Sequence, residues 1–147
     1  MAEIVIMDFS GIYKGEQFFE GEKVSWLDVR EIPGTNCYCD DEAKTQILEK
    51  LEKFSAGGIY FIDSGNYHYM SKLLLGLEKE DLFLAVFDHH TDMQPPAFGG
   101  LLSCGGWVAA SLEELPLLKE VILVGPDQEA FDQTEPTLRE KVRFLSR

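Results

Sequence analysis

Four ionisable side chains follow an apolar run in the stretch LFLAVFDHHTD, residues 82–92. The run is typical of a buried strand, and alternate residues share one face if the chain stays extended beyond it. Asp88, His90 and Asp92 then lie together, and His89 points the other way. Two carboxylates and one imidazole suit a hard or borderline divalent cation, which also relieves the repulsion between the acids. The alternative is a solvated acidic loop in which the two histidines are incidental.

The third histidine, His68, follows another apolar run, GIYFID at residues 58–63. The carboxyl ends of parallel strands open on one rim of a sheet, and ligands bind at that rim. We therefore expect His68 to face the segment from Asp88 to Asp92 and to be a further metal ligand. Asp63 ends the run, and we expect it to cap the helix that follows, with support of the metal site as the alternative.

Apolar runs alternate with segments of helical periodicity along the chain. Expected strands cover residues 3–9, 25–32, 58–63, 82–88, 120–125 and 141–146, and expected helices cover 41–54, 66–77 and 105–115. Short apolar runs without alternation indicate a mainly parallel sheet with helices on both faces, which is a three-layer α/β/α fold. The sequence has no internal repeat or boundary, so we expect one domain over residues 1–147.

The charge balance restricts the partners, because 26 acidic residues against 13 basic ones give a net charge of −13. Nucleic acids and anionic membranes bind cationic surfaces, so both are disfavoured, whereas a cationic small molecule or a metal is compatible. The start MAEIVIMDF lacks the basic residues of a secretory signal, and no run of about 18 apolar residues is present. We therefore expect a cytoplasmic protein in which Cys37, Cys39 and Cys104 are free thiols.

The motif FDHHTD resembles the Asp-x-His-x-Asp metal motif of the ureohydrolases, the arginase, agmatinase and formiminoglutamase family. GNYH at residues 65–68 is similar to the family's Gly-Gly-Asp-His motif, and LSCGGWV at 102–108 falls where the family has a His-Gly turn. The resemblance covers residues 59–125. It implies an arginase-like fold and a hydrolase that attacks a guanidino, amidino or amide C–N bond with a metal-activated water.

The resemblance also implies a manganese centre with one or two ions. His68 would bind one ion and Asp92 the other or both. Asp88 would bridge the two ions, and His90 would complete the second site. His89 is the nearest candidate for a general acid. Other divalent metals remain open, and a preference for zinc would instead indicate a deacetylase-like hydrolase.

The family's third motif, Ser-x-Asp-x-Asp on a later strand, has no copy in this sequence. In the family, the next two strands lie in the middle of the sheet, between those expected here at 58–63 and 82–88. We therefore expect an arginase-like fold that is incomplete at its C-terminus, either a short form or the first part of a longer protein, with copies associating through a free edge as a homo-oligomer. The competing function is a non-catalytic metal-binding or interaction domain of the same fold.

Overall fold

The computed structural model describes residues 3–55, 57–96 and 98–146 of the chain. The strands are β1 (Glu3–Asp8), β2 (Val24–Asp28), β3 (Tyr38–Cys39), β4 (Gly58–Ile62), β5 (Leu82–Phe87), β6 (Leu102–Ser103), β7 (Leu118–Val124) and β8 (Val142–Leu145). The helices are α1 (Asp41–Leu51), α2 (Met70–Leu75), α3 (Trp107–Glu114), α4 (Gln128–Asp132) and α5 (Pro136–Arg139), and a 3-10 turn covers Gly65–Tyr67. The fold is therefore mixed α/β, as the alternation of apolar runs and helical segments predicted.

The helices are shorter than the sequence suggested. The helix expected at 66–77 is divided into the 3-10 turn and α2, and the short helices α4 and α5 were not expected because four or five residues carry too little periodicity. The helix α1 begins at an Asp40 cap, whose carboxylate accepts the Ala43 N–H at 2.8 Å. Within the described ranges, no helix has the length and apolar character needed to cross a membrane.

The strands form two separate parallel sheets rather than one continuous sheet. Their orders are β2-β1-β4 and β5-β7-β8, and the two-residue strands β3 and β6 form a small antiparallel pair. The strands β4 and β5 are each the end strand of their sheet, and within the described residues they pair with β1 and β7 only. The one mainly parallel sheet expected from the sequence is therefore divided into two sheets within the described residues.

One hydrophobic cluster joins the two sheets to the helices. Val5 and Met7 of β1, and Val121 and Leu123 of β7, are fully buried in it. Trp107 at the start of α3 belongs to the same cluster and is 2% exposed. Because parallel strands are normally covered on their faces by other elements, this packing fixes the strand ends and the turns that follow them.

Candidate metal centre

Three ionisable side chains converge at the carboxyl ends of β4 and β5. His68 lies in the turn after β4, and Asp88 and Asp92 follow β5. One ligand atom from each of the three lies within 4.8 Å of those of the other two. His68 Nδ1 is 2.9 Å from Asp92 Oδ2 and 3.5 Å from Asp88 Oδ2. The structure thus brings together three of the four residues predicted as metal ligands.

The two neighbours of His68 in sequence fix its position. Tyr67 is 7% exposed and stacks on Phe9, with ring centroids 4.2 Å apart. Tyr69 is fully buried, and its hydroxyl donates a hydrogen bond of 2.6 Å to the carbonyl oxygen of Thr35. Because both flanking side chains are held in the core, the backbone of His68 has little freedom, and the imidazole projects from a rigid turn toward the two carboxylates.

The segment from Asp88 to Asp92 is not extended, so the expected alternation beyond the strand is wrong. Asp88 Oδ1 accepts the backbone N–H of His90 at 2.9 Å, which turns the chain immediately after β5. Asp92 has φ of 48°, a left-handed conformation that asparagine and aspartate tolerate better than most residues. The turn brings Asp92 back toward Asp88, and Asp92 is buried there, with 6% of its surface exposed.

Trp107 holds Asp92 in this conformation. Its indole Nε1–H donates a buried hydrogen bond of 2.6 Å to Asp92 Oδ2, and the Val108 N–H donates to the Asp92 carbonyl oxygen at 2.9 Å. The Trp107 ring also lies 5.1 Å from the His68 ring, measured between centroids. The sequence alone does not reveal this role, because the contact spans 15 residues and leaves no local pattern, although Trp107 falls in the segment LSCGGWV that resembles the family's turn.

The other two histidines of the motif lie on the outside. The His90 side chain is 83% exposed, and its Nδ1 is 3.2 Å from Asp88 Oδ1. It therefore contacts one carboxylate without joining the cluster of three, and its role as a ligand stays a prediction. His89 is exposed beside Asp88, and its role as a general acid also stays a prediction.

The pKa of His68 lies above its ordinary value of 6.5. The hydrogen bond to Asp92 is the largest cause, partial burial opposes it, and the charges of Asp92 and Asp88 add to it. The same carboxylates that favour a proton on Nδ1 would favour a metal cation there, since each places positive charge beside two acids. Proton and cation therefore compete for this position.

Cys104, which stands where the resembled family has a histidine, is a half-buried thiol. Burial is the largest of the causes that raise its pKa, and the neighbouring Cys37 and Asp92 contribute. The thiol is therefore held in its neutral form, in which it is a poor nucleophile and a poor metal ligand.

Asp63 does not cap the turn after β4. Its carboxylate accepts the backbone N–H groups of Phe9 and Ser10 at 2.9 and 2.8 Å, together with the Ser10 hydroxyl. The expected cap is wrong, because the turn after β4 begins at Ser64 without a side-chain cap. Asp63 instead ties the end of β4 to the chain leaving β1, and the adjacent Phe9 stacks on Tyr67 beside His68.

A groove of about 330 Å³ adjoins the cluster. It is bordered by His68 and Trp107 and runs along β5 and α2, where most of its lining is apolar and Glu78 is its acidic side chain. A larger cavity of about 820 Å³ lies between β6, α3 and α5, but none of the three cluster residues lines it. We regard the smaller groove as the relevant one because it opens on an imidazole at the strand ends.

Comparison with known proteins gives little beyond this geometry. No protein-family model matches the chain, and no solved structure matches it. A protein of Thermotoga maritima that is described as an uncharacterized protein is 26% identical over 138 residues, which cover 90% of this chain and 55% of that relative. The chain thus spans about half the length of the relative it matches.

Proposed function

We propose that the protein is a metal-dependent hydrolase of the ureohydrolase type, acting on a linear guanidino, amidino or amide C–N bond. The observation that carries the proposal is the convergence of His68, Asp88 and Asp92 at the carboxyl ends of two parallel strands. Strand ends are the usual ligand sites of α/β folds. Two of the three residues, Asp88 and Asp92, belong to the motif FDHHTD. The carboxylate and imidazole side chains of this motif predict metal binding by themselves.

The three side chains fit one divalent cation in geometry and in charge. Ligand distances of about 2.1 Å put neighbouring donor atoms about 3 Å apart and opposite ones about 4 Å apart. Both separations are compatible with a cluster whose donor atoms lie within 4.8 Å of one another. The two carboxylates balance the charge of the ion. Two oxygens and one imidazole nitrogen, without a thiolate, favour manganese or a similar ion.

A cation held by His68, Asp88 and Asp92 would supply a water of lowered pKa and would polarise the bond that is hydrolysed. The chain's own contribution is to hold the ligands: Trp107 orients Asp92, and the buried neighbours of His68 fix the imidazole. His89 follows Asp88 in sequence and is the nearest candidate for the general acid. The arrangement therefore divides ligand positioning and proton transfer between different residues.

The groove next to His68 supports a small-molecule substrate. Its volume of about 330 Å³ lies at the lower end of the range of ligand pockets, about 300–1,000 Å³. The acidic Glu78 lines it, and the chain carries a net charge of −13, so a cationic guanidino or amidino group would be attracted to it. We therefore favour a cationic substrate over a neutral amide.

We propose an arginase-like fold on the basis of the sequence resemblance, and the mixed α/β topology is compatible with it. The resemblance implies a mainly parallel sheet with two strands between those that carry His68 and Asp88. In the described residues, the corresponding strands β4 and β5 are end strands of separate sheets.

The second candidate is a non-catalytic metal-binding or interaction domain. The observation that favours it is the small ligand set, because the described cluster has three donor residues and the His90 side chain is 83% exposed. Three ligands hold one ion loosely compared with a site rich in carboxylates. Such a domain would bind metal and leave guanidino, amidino and amide compounds unchanged.

The deciding experiment is a calorimetric titration of the metal-free protein with Mn²⁺, followed by assays of hydrolysis with one guanidino, one amidino and one amide compound. We expect one ion per chain, with binding reduced at least tenfold in His68→Gln, Asp88→Asn and Asp92→Asn. Asp81→Asn is the matched control, because it also removes one acid but changes a surface pair with Lys119. Binding that is equal in all these variants would contradict the proposed centre.

The titration also separates the sequence prediction from the geometry. The sequence prediction requires that His90→Ala lose binding and that His89→Ala keep it, whereas the cluster of three predicts only a modest effect of His90→Ala. If metal binds and all three compounds remain intact, the non-catalytic alternative holds. A preference for Zn²⁺ over Mn²⁺ would indicate the deacetylase-like hydrolase instead.

A further inference from the structure

The outer face of the sheet β5-β7-β8 carries large apolar side chains in contact with water. On β5 the side chains alternate, so that Val86 is buried, whereas Phe83 and Phe87 are 72% and 79% exposed. Leu145 of β8 continues this face and is 51% exposed. Parallel sheets are normally covered on both faces, and a contiguous exposed apolar patch marks an interaction site.

The other parallel sheet has its corresponding side covered by its own chain. Phe18 and Phe19, in the loop after β1, pack on Phe61 of β4 and Trp26 of β2, with ring centroids 4.8 and 5.9 Å apart. Ile6 on this side of β1 is fully buried in consequence. Within the described residues, the β5-β7-β8 sheet has no comparable cover over Phe83 and Phe87.

The exposed face is electrically balanced, unlike the chain as a whole. It carries Glu120 of β7 and Arg143 of β8, which form an ion pair of 2.9 Å. The chain carries a net charge of −13, so two copies repel each other over most of their surfaces. A face with one acid and one base avoids this repulsion, and a two-fold contact can bring each Arg143 near the other copy's Glu120.

We propose that a second copy of this chain covers the β5-β7-β8 face, forming a two-fold symmetric dimer in which the two sheets pack face to face. Phe83, Phe87 and Leu145 of each copy form the apolar centre of the contact. Arg143 and Glu120 form ion pairs between the copies at its edge. The face and the cluster of His68, Asp88 and Asp92 use different side chains, and Phe87 belongs both to the face and to the lining of the groove beside His68.

The size of the face sets the expected strength of the dimer. Six residues of β5 span about 20 Å, and three strands span about 14 Å, which gives about 300 Å² of flat area per copy. Stable interfaces bury about 800 Å² per partner. The contact is therefore at the weak, transient end of protein interfaces, and we expect the dimer to dissociate on dilution.

The test is sedimentation equilibrium of the whole chain over a hundredfold range of concentration. We expect a monomer–dimer equilibrium in the wild type and a dissociation constant raised at least tenfold in the Phe83→Ser, Phe87→Ser double variant. Phe98→Ser is the matched control, since Phe98 is 77% exposed but lies in the loop before β6 rather than on β5. Circular dichroism checks that every variant keeps the α/β fold.

A charge exchange tests the orientation of the two copies. Arg143→Glu places two acids on each face and should weaken the dimer, and the double exchange Glu120→Arg, Arg143→Glu should restore it. A chain that stays monomeric at every concentration would overturn the proposal and leave the face to a different polypeptide. Open-ended aggregation, or a dimer that survives the double phenylalanine variant, would overturn it equally.

Discussion

The indole Nε1–H of Trp107 and the Nδ1–H of His68 both donate to the same carboxylate oxygen, Asp92 Oδ2, at 2.6 and 2.9 Å. Asp92 is 6% exposed, so this oxygen is shielded from water and accepts hydrogen bonds from two side chains that lie in different elements. The two donors have different roles in the proposed centre. Trp107 would remain bonded when a cation is present, whereas His68 would give up its proton.

Replacement of Trp107 by phenylalanine should weaken both the fold and the metal centre. The buried carboxylate loses a donor, which costs about 1–3 kcal/mol of unfolding free energy, and groups that orient metal ligands typically contribute about 10–100-fold to affinity. Urea denaturation of the metal-free protein and titration with Mn²⁺ measure the two effects. Trp26→Phe is the control, since Trp26 is 39% exposed and far in sequence from the cluster. Unchanged affinity in Trp107→Phe would count against Asp92 as a ligand.

The metal-free protein should lose stability as the pH rises through the raised pKa of His68. The pKa of this imidazole is raised in the folded state, chiefly by the hydrogen bond to Asp92, so the folded protein binds its proton more tightly than the unfolded chain does. The stabilisation is fully present below about pH 6.5, the unfolded value, and disappears as the pH rises above the folded value. Urea denaturation at a series of pH values in the presence of a chelator should show this decline.

The variant His68→Gln should lack the component of the pH dependence that comes from His68. In the wild type, Mn²⁺ affinity should rise over the same interval, because the ion and the proton compete for Nδ1. The raised pKa of His68 predicts that a bound metal ion would be released on acidification at a pH above 6.5, the ordinary value of this imidazole. A wild-type stability that increases with pH in this interval would contradict the assignment.

Substitution of Gly125 by alanine should disturb the cluster, because Gly125 follows β7, the strand that pairs with β5. Gly125 has φ of 112°, and an added Cβ would lie 2.5 Å from the carbonyl oxygen of Asp88. The left-handed backbone alone costs about 1–3 kcal/mol for a residue other than glycine, and the contact must in addition displace Asp88. Thermal unfolding and Mn²⁺ titration should both register the change.

Gly99→Ala provides the control for Gly125→Ala. Gly99 also has a positive φ, of 75°, but an added Cβ there would meet no atom within 4 Å. The control therefore carries the backbone strain without the contact. Equal Mn²⁺ affinity in the two alanine variants would mean that the position of Asp88 does not matter for binding.

Thiol titration should find three reactive cysteines in the unfolded, unreduced chain, because all three are free. In the folded protein, Cys39 should react slowest. It is 2% exposed, and burial raises the pKa of its thiol to about 11, so both access and thiolate fraction are low. Cys37 and Cys104 are half-buried and should react first. A count of one thiol in the unfolded chain would instead reveal a disulfide.

Residue types and spacing determined the strands, their parallel character and the position of the candidate site. Apolar runs such as LFLAVF form strands through local burial, and the polar residues that follow must lie at strand ends. For this reason the residue types and their spacing were sufficient to identify His68, Asp88 and Asp92 as candidate ligands. The two-residue strands and the helices of four or five residues were not predicted, because such short segments contain fewer than two turns of a helix or two alternations of a strand.

The tertiary structure alone decided which way the residues after β5 point and what holds them. Beyond Asp88, an extended backbone competes with two hydrogen bonds, one accepted by Asp88 from the His90 N–H and one donated by Trp107 to Asp92. Trp107 lies 15 residues from Asp92, so the local sequence does not reveal this bond. That competition turned His90 outward and Asp92 inward. The division into two sheets is likewise non-local, because strand pairing is decided by which backbone edges meet in space, and no segment of sequence contains that information.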